Sequence, residues 1–303
     1  MPRRILPVAL ATILAAPAFA QMLDDTPRIA VMSAFEPEWQ ALRAELEEPA
    51  EHAVNGSSFV TGTLRGKPVV LLLSGVSMVN AAMTTQQVLD RFDVGAVVFS
   101  GIAGGVDPAL DIGDVVVADR WAQYLDVVIA RETAEGFAPP PFLDTPHPNY
   151  GMIFPRTVGV TRAGGTEREA KFWFEVDPDL LALAREVVTG IDLTGCVAEN
   201  ACLSEPPEIV VGGNGVSGSA FVDNAAFREY VFDTFEAKVL DMESAAVAHV
   251  AYNNGVPFIA FRSLSDLAGG GEGENEIGTF FGLASLNAAA VVGAFVEAMD
   301  MPE

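Results

Sequence analysis

Basic residues and metal-binding side chains are scarce in this sequence of 303 residues. Lys and Arg together number 17 against 41 Asp and Glu, which gives a formal net charge of −24. A surface with this excess of negative charge repels phosphate groups, so we expect neither nucleic acid nor an anionic membrane as a partner. The chain has only three histidines and two cysteines, and this shortage argues against a metal site. No cofactor is expected.

The first twenty residues have the composition of a targeting segment. The stretch MPRRILPVALATILAAPAFA contains Arg3 and Arg4, then an apolar run, then the small-residue ending Ala18-Phe19-Ala20. This order predicts a cleaved secretory signal peptide over residues 1–20 and a periplasmic or secreted mature protein. The apolar run is short and interrupted by proline, which disfavours a membrane span.

The two cysteines, Cys196 and Cys202, lie close together in the segment GCVAENACL. In an exported chain this placement predicts a local disulfide that closes a surface loop. Closing a short loop removes little chain entropy, so the expected stabilisation is modest.

Short apolar runs alternate with helix patterns after the signal peptide, and half of all residues are hydrophobic. Strands that are apolar on both faces and alternate with helices predict a helix-covered, mostly parallel sheet. We therefore expect a single α/β domain over residues 28–300. The predicted strands are 28–34, 95–101, 113–119, 208–218, 238–242 and 256–266, with a hairpin at 58–75. The predicted helices are 36–48, 79–92, 177–188, 223–235, 243–254 and 280–299.

Residues 120–176 interrupt this alternation with a stretch rich in Pro, Gly and aromatic residues. Connections of this length are uncommon unless they form a lid, an interface or an insert. Two interpretations stay open: His147, Asn149 and Tyr150 contact a ligand, or the excursion is an ordered surface or subunit contact.

Acidic residues gather where predicted strands end. In an open α/β sheet, ligands bind outside the carboxyl ends of the strands. Glu38 follows the first strand, and Glu243 and Asp266 follow the last two. Together with Phe221 they are expected to converge on one cleft. Each also has an ordinary structural explanation, since Glu38 and Glu243 suit a helix N-terminus, Asp266 suits a turn, and Phe221 suits a core.

Six segments together resemble the nucleoside phosphorylase/nucleosidase superfamily, and within it most resemble the methylthioadenosine/S-adenosylhomocysteine nucleosidases. They occur in family order between residues 29 and 266 and read IAVMSAFEPEW, LLLSGVSMVNAA, VVFSGIAGGVDPALDIGDVVVAD, VSGSAFVD, LDMESAAVAHVAYNNGVPF and RSLSD. The resemblance implies a three-layer α/β/α sandwich with a mixed, mostly parallel central sheet. It also implies a homodimer and cleavage of the bond between a purine and its ribose.

The resemblance assigns roles at the base and the sugar. Asp266 is implied as the general acid that protonates the leaving purine, with Ser265 orienting it. Glu243 is implied as the acceptor for the ribose hydroxyls, with Met242 packing against the sugar. Phe221 is implied to stack on the purine while the backbone of Val222 reads its edge.

The nucleophile depends on Glu38. By resemblance, Glu38 lies at the position that activates water, with Arg262 and Ser74 helping to hold that water. A carboxylate there repels phosphate, so we expect hydrolysis of purine nucleosides. Arg43 and Arg65 are near enough in sequence to keep a phosphate-dependent phosphorylase open. The predicted export keeps a third hypothesis open, a non-catalytic nucleoside-binding or storage protein.

Overall fold

A computed structural model describes residues 22–198, 201–271 and 273–301. The predicted signal peptide at 1–20 lies outside the described residues.

The helices are α1 Glu36–Arg43, α2 Met78–Arg91, α3 Pro178–Val187, α4 Ala225–Phe235, α5 Ser244–Asn254 and α6 Ile277–Ala298. The first ten strands are β1 Asp24–Ser33, β2 Glu47–Val54, β3 Ser57–Leu64, β4 Lys67–Leu73, β5 Phe92–Gly105, β6 Val115–Val117, β7 Arg120–Gln123, β8 Val127–Ile129, β9 Arg131–Thr133 and β10 Gly136–Ala138. The others are β11 Ile153–Pro155, β12 Val158–Val160, β13 Glu169–Lys171, β14 Trp173–Glu175, β15 Cys196–Ala198, β16 Ala201–Cys202, β17 Ile209–Val211, β18 Asn214–Ser217, β19 Ala237–Asp241 and β20 Phe258–Asp266.

A mixed sheet of 12 strands forms the centre of the described part of the chain. Its main path runs β14-β7-β18-β19-β5-β1-β4-β3-β2, and β20, β6 and β17 extend it beside β5. β1 is parallel to both β4 and β5, and β20 is parallel to β5, whereas β19 is antiparallel to β5. Helices pack in two groups, α2 with α5 and α1 and α3 with α6. The predicted α/β class with a mixed central sheet is confirmed.

The middle of this sheet is the hydrophobic core. Val97, Val98 and Phe99 of β5 pair in register with Phe258, Ile259 and Ala260 of β20, and all are almost completely buried. Strands buried on both faces explain the continuous apolar runs in the sequence. Helix α6 is apolar enough in composition to span a membrane; in this fold it packs on β20 and β5.

The predicted elements at 36–48 and 208–218 show the clearest differences from the structure. The helix predicted over 36–48 ends at Arg43, because Glu47–Val54 pairs with β3 and extends the hairpin into a third strand. The strand predicted over 208–218 is divided by Gly212 and Gly213, whose φ angles are +124° and +86°. These positive values turn the chain, so that β17 pairs with β6 while β18 pairs with β7 and β19.

The predicted excursion at 120–176 begins and ends inside the central sheet. β7 and β14 are antiparallel partners at its edge. Between them, β8 with β11, β9 with β10 and β12 with β13 form three small antiparallel pairs. The region is therefore structured, and the part outside the central sheet is shorter than predicted. The predicted disulfide between Cys196 and Cys202 is present and joins β15 to β16.

Candidate active site

A cavity of about 200 Å³ lies where β5, β19 and β20 end and where α1, α5 and α6 begin. Its position agrees with the rule that ligands bind outside the carboxyl ends of strands. Seven of the residues predicted for the site line it, namely Glu38, Phe221, Val222, Met242, Glu243, Ser265 and Asp266. The structure therefore brings Glu38 together with two carboxylates that lie more than 200 residues further along the chain.

Glu38 is held by backbone amides from two segments. Its Oε2 accepts hydrogen bonds from the N–H groups of Ala34 (3.0 Å) and Phe35 (2.9 Å), just before α1. Its Oε1 accepts from the N–H of Ile102 on β5 (2.8 Å). Burial raises the pKa of Glu38, and the Arg262 guanidinium and these amide donors oppose the rise. The carboxylate is thus fixed in direction and becomes a better base than an exposed glutamate.

Glu243 directly precedes α5, and its side chain reaches Ser77, the residue that precedes α2. Its Oε1 accepts a hydrogen bond from the N–H of Ser77 at 2.7 Å. Ser77 has φ +88° and ψ +158°, a backbone conformation that is costly for a residue other than glycine. Burial raises the pKa of Glu243 to about 7, although the Arg262 guanidinium opposes the rise. A strained donor aimed at a buried carboxylate is typical of a functional site.

Arg262 lies behind these carboxylates rather than on the wall of the cavity. Its Nε donates to Ser244 Oγ (2.9 Å) and lies 2.8 Å from Asp241 Oδ2, while its Nη2 is 3.5 Å from Glu243 Oε2. The guanidinium stacks 4.0 Å from the ring centre of Phe99. A fully buried cation supplies counter-charge to the carboxylates in front of it.

Both oxygens of the Asp241 carboxylate are engaged by other groups of the protein. Oδ1 accepts from the hydroxyl of Ser217 and from the N–H groups of Glu243 and Ser244, both at 3.2 Å. Oδ2 faces Arg262. Although Asp241 borders the cavity, its carboxylate anchors the start of α5.

Asp266 ends β20 at the opposite side of the cavity. Oδ2 accepts a hydrogen bond from the Ser265 hydroxyl (3.0 Å), and Oδ1 accepts from the N–H of Ala268 (2.8 Å). Burial raises the pKa of Asp266, and these donors oppose the rise. A carboxyl group that keeps its proton nearer to neutral pH is suited to general acid chemistry.

Two glycines of β5 lie against Glu38 and Asp266. A Cβ atom at Gly101 would lie 3.0 Å from Glu38 Oε1, and one at Gly104 would lie 3.3 Å from Asp266 Oδ1. Three residues along a strand span roughly 10 Å. Glu38 and Asp266 therefore approach the same strand at separate points, and both line the cavity.

The remainder of the wall is apolar. Phe221 is 56 % exposed, so it is not a core residue, and its ring is free to contact a flat ligand. Val222 and Met242 add apolar surface beside it. Such a wall with a few convergent carboxylates is typical of a small-molecule site.

Several predicted contacts lie elsewhere. Ser74 does not border the cavity, and its hydroxyl donates to the carbonyl of Gly75 at 2.9 Å. His147 packs against Phe172 and Phe235, and Tyr150 packs against Phe227 and Tyr230. In the described structure the surface-contact interpretation of the excursion therefore fits better than the ligand interpretation.

The two arginines that kept phosphorolysis open point to other partners. Arg43 Nη2 lies 3.9 Å from Glu51, and Arg65 Nη2 lies 2.7 Å from Glu45. None of the described residues that line the cavity is a lysine or an arginine. The described residues also contain no group of three or more His, Cys, Asp or Glu side chains arranged to hold a metal ion.

The sequence did not reveal several contributors to the site. Phe35, Val76, Ile102 and Ile277 line the cavity, and Phe35 packs edge-on against Phe281 at 6.0 Å. The helix predicted over 79–92 begins at Met78, but the hydrogen bond from the N–H of the preceding Ser77 to Glu243, 166 residues away, has no pattern in the sequence.

Comparisons with known proteins identify similar sequences and structures. A sequence profile described as the Phosphorylase superfamily matches residues 28–297. The 5'-methylthioadenosine/S-adenosylhomocysteine nucleosidase of Lysinibacillus sphaericus (strain C3-41) is 32% identical over 244 residues, covering 80% of this chain and 87% of the relative. Among solved structures, the nucleosidase of the same name from S. pneumoniae, with a transition-state inhibitor, has a TM-score of 0.66 and 27% identity and covers 90% of this chain and 100% of its own. The Neisseria meningitidis nucleosidase in complex with methylthio-immucillin-A has a TM-score of 0.67 and 27% identity, with the same coverage.

Proposed function

Because this chain belongs to the phosphorylase superfamily, we propose that it hydrolyses the N-glycosidic bond of purine nucleosides, with methylthioadenosine and S-adenosylhomocysteine as the substrate class. The products are the free base and the sugar. The observation that carries this proposal is that Glu38, Glu243 and Asp266 line one cavity, whereas none of its described lining residues is a cation.

Asp266 acts at the base. The C1'–N9 bond breaks with its electron pair moving to the purine, and the proton of Asp266 passes to N7 of the leaving base. Ser265 orients the carboxyl group through its hydroxyl. Phe221 stacks on the purine, and the backbone of Val222 contacts the edge of the ring. The raised pKa of Asp266 supports this role, because the acid has to be protonated at the start of the reaction.

Glu243 acts at the sugar. Its carboxylate accepts hydrogen bonds from the ribose hydroxyls, and its negative charge stabilises the positive charge that develops on the ribose in the transition state. Met242 packs against the same ring. Arg262 holds the carboxylate from behind, so its contribution is to position Glu243.

Glu38 acts at the nucleophile. It takes one proton from a water molecule as the water oxygen bonds to C1', and it later returns that proton to solvent. Three backbone N–H groups fix its carboxylate, which supports a directional base. A buried carboxylate at this point also disfavours phosphate, which supports hydrolysis over phosphorolysis.

The direct test is a phosphate-free assay. Purified protein is incubated with methylthioadenosine, S-adenosylhomocysteine, adenosine and inosine, and free base and sugar are quantified. Base release without phosphate supports hydrolysis. Release that requires added phosphate and yields ribose 1-phosphate would identify a phosphorylase instead. Thermal stabilisation by these nucleosides without any turnover would identify a binding protein.

We also propose that the chain is exported as one domain after loss of residues 1–20. The composition of that segment and the Cys196–Cys202 disulfide support export, because disulfides persist in oxidising compartments. The mass of the protein recovered from a periplasmic or culture fraction tests it, and an intact N-terminus in the cytosol contradicts it.

A homodimer is part of the same proposal. Val79 on α2 is 76 % exposed, and Met83, one turn further, is also exposed. Both lie beyond Val76 of the cavity wall, so a second subunit seated on α2 would border the cavity. Light scattering coupled to size-exclusion chromatography distinguishes one subunit from two.

A further inference from the structure

Asn275 lies between β20 and α6, and its amide group contacts three other residues. Its Oδ1 accepts a hydrogen bond from the N–H of Ile277 at 3.0 Å. Its Nδ2 donates to Asp223 Oδ1 (3.1 Å) and to Asp266 Oδ1 (3.4 Å). The Ile277 N–H needs an oxygen, and the two carboxylates need a donor. The orientation of the amide is therefore determined by its neighbours.

The two carboxylate oxygens of Asp266 have different surroundings. Oδ1 faces two N–H donors, from Ala268 and Asn275. Among the described residues, Oδ2 contacts the Ser265 hydroxyl alone, and this hydroxyl can rotate to donate or to accept. A proton placed on Oδ1 would point at groups that only donate, so the proton of Asp266 belongs on Oδ2.

Resting on the hydrolysis proposed above, we propose that Asn275 is a positioning residue that reserves Oδ2 of Asp266 for the transferable proton. Through Asp223, the residue that follows Val222, it also links this part of the cavity wall to the start of α6.

The charges around Asp266 predict the direction in which its pKa changes when Asn275 is replaced. Asp223 raises the pKa of Asp266, whereas the Asn275 amide favours the ionised form and lowers it. Loss of the amide donor therefore raises the pKa further. The other charged groups on the surrounding elements are Glu274 and Glu276 beside Asn275, Arg228 beside Gly270, and Glu38, Asp241 and Glu243 across the cavity.

Two substitutions separate positioning of the acid from capping of α6. Asn275→Asp and Asn275→Ser both keep an oxygen for the Ile277 N–H, and both remove the N–H donor to Asp266. Asn275→Asp also adds a negative charge beside Asp266. Asn55→Asp, in the exposed turn between β2 and β3, adds the same charge far from the cavity and is the matched control.

The experiment measures kcat and KM against pH for these variants. We expect kcat at neutral pH to fall about tenfold in Asn275→Ser and further in Asn275→Asp, with KM changed by less than about twofold. The upper-pH limb of the kcat profile should move to higher pH in the order wild type, Asn275→Ser, Asn275→Asp. Asn55→Asp should match the wild type.

The inference is overturned if kcat and the upper limb are unchanged in both variants, with or without a lower melting temperature. A second readout does not need turnover: the Asp266 carboxyl titration followed by NMR in protein labelled with ¹³C-aspartate. If the wild type releases no base, the proposed hydrolysis fails, and the NMR titration still decides about Asn275. The same Asp266 midpoint in wild type and Asn275→Ser would sink the inference, and a higher midpoint in Asn275→Ser, which adds no charge, would support it.

Discussion

Arg262 Nε lies 2.8 Å from Asp241 Oδ2, and both side chains are buried. Asp241 also accepts hydrogen bonds from the first amides around α5. The pair therefore fixes the position from which Glu243 faces the cavity. Of the two acids in the segment LDMES, Asp241 anchors the scaffold and Glu243 faces the ligand space.

Replacing Asp241 is expected to destabilise the fold. Asp241→Asn keeps the size of the side chain but leaves the Arg262 charge buried without this partner, which lowers the free energy of unfolding by about 3 kcal/mol. Urea denaturation at pH 7 measures the change. The partly exposed pair between Asp126 and Arg156 offers a matched control, since Asp126→Asn should cost less than about 1 kcal/mol. Equal losses of unfolding free energy in the two variants would show that the buried pair stabilises the fold no more than the pair between Asp126 and Arg156 does.

Replacing Glu38 or Asp266 is expected to stop catalysis while binding persists. Glu38→Gln and Asp266→Asn should each lower kcat by about 10²-fold to 10⁴-fold, because each removes one proton-transfer group. Affinity for a non-hydrolysable nucleoside analogue, measured by calorimetry, should stay within about tenfold of the wild type.

The losses of kcat in Glu38→Gln and Asp266→Asn should depend differently on the leaving group of the substrate. A 4-nitrophenyl riboside leaves without protonation, so it should restore activity to Asp266→Asn and not to Glu38→Gln. Equal recovery of both variants on this substrate would contradict the division of roles between the two acids.

The stability of the protein is expected to fall as the pH rises towards neutrality, in part because of Glu243. Burial raises the pKa of Glu243 from 4.5 to about 7, so the folded state binds its proton more tightly than the unfolded chain does. The free energy of unfolding therefore decreases between about pH 4.5 and pH 7, by about 3 kcal/mol for this group.

Comparison with Glu243→Gln isolates that contribution from those of the other buried acids. The variant should show a shallower dependence of unfolding free energy on pH over the same range, measured by urea denaturation at several pH values. Parallel curves for the two proteins would mean that the pKa of Glu243 is not raised by folding.

Gly101 is expected to tolerate no side chain. A Cβ atom there would lie 2.1 Å from Arg262 Nη1 and 3.0 Å from Glu38 Oε1. Gly101→Ala should therefore displace the guanidinium, lower the free energy of unfolding by about 2 kcal/mol and reduce kcat.

Gly282→Ala is the matched control for that change. No heavy atom lies within 4 Å of a Cβ at Gly282 in α6, and alanine favours a helix, so stability should hold or rise. Melting temperatures and initial rates of both variants decide the matter. A Gly101→Ala protein with wild-type stability and rate would contradict the packing described for Arg262.

The sequence alone was sufficient to predict features that depend on residues close together along the chain. The apolar runs of β1, β5 and β20 and the helix over 177–188 could be located from composition and spacing, and the structure has them there, with Asp177 as the cap of α3. The closely spaced cysteines predicted the observed disulfide. The resemblance of six short segments predicted the superfamily and the fold.

Only the tertiary structure decided how distant segments meet. The end of α1 at Arg43 depends on strand pairing between β2 and β3, which overrides the helical spacing that continues to Leu46. The contacts of Asn275 with Asp223 and Asp266, and of Ser77 with Glu243, join groups whose separation along the chain carries no local pattern. Sequence periodicity reports which face of an element is buried. Which oxygen faces which donor depends on the packing of several elements at once.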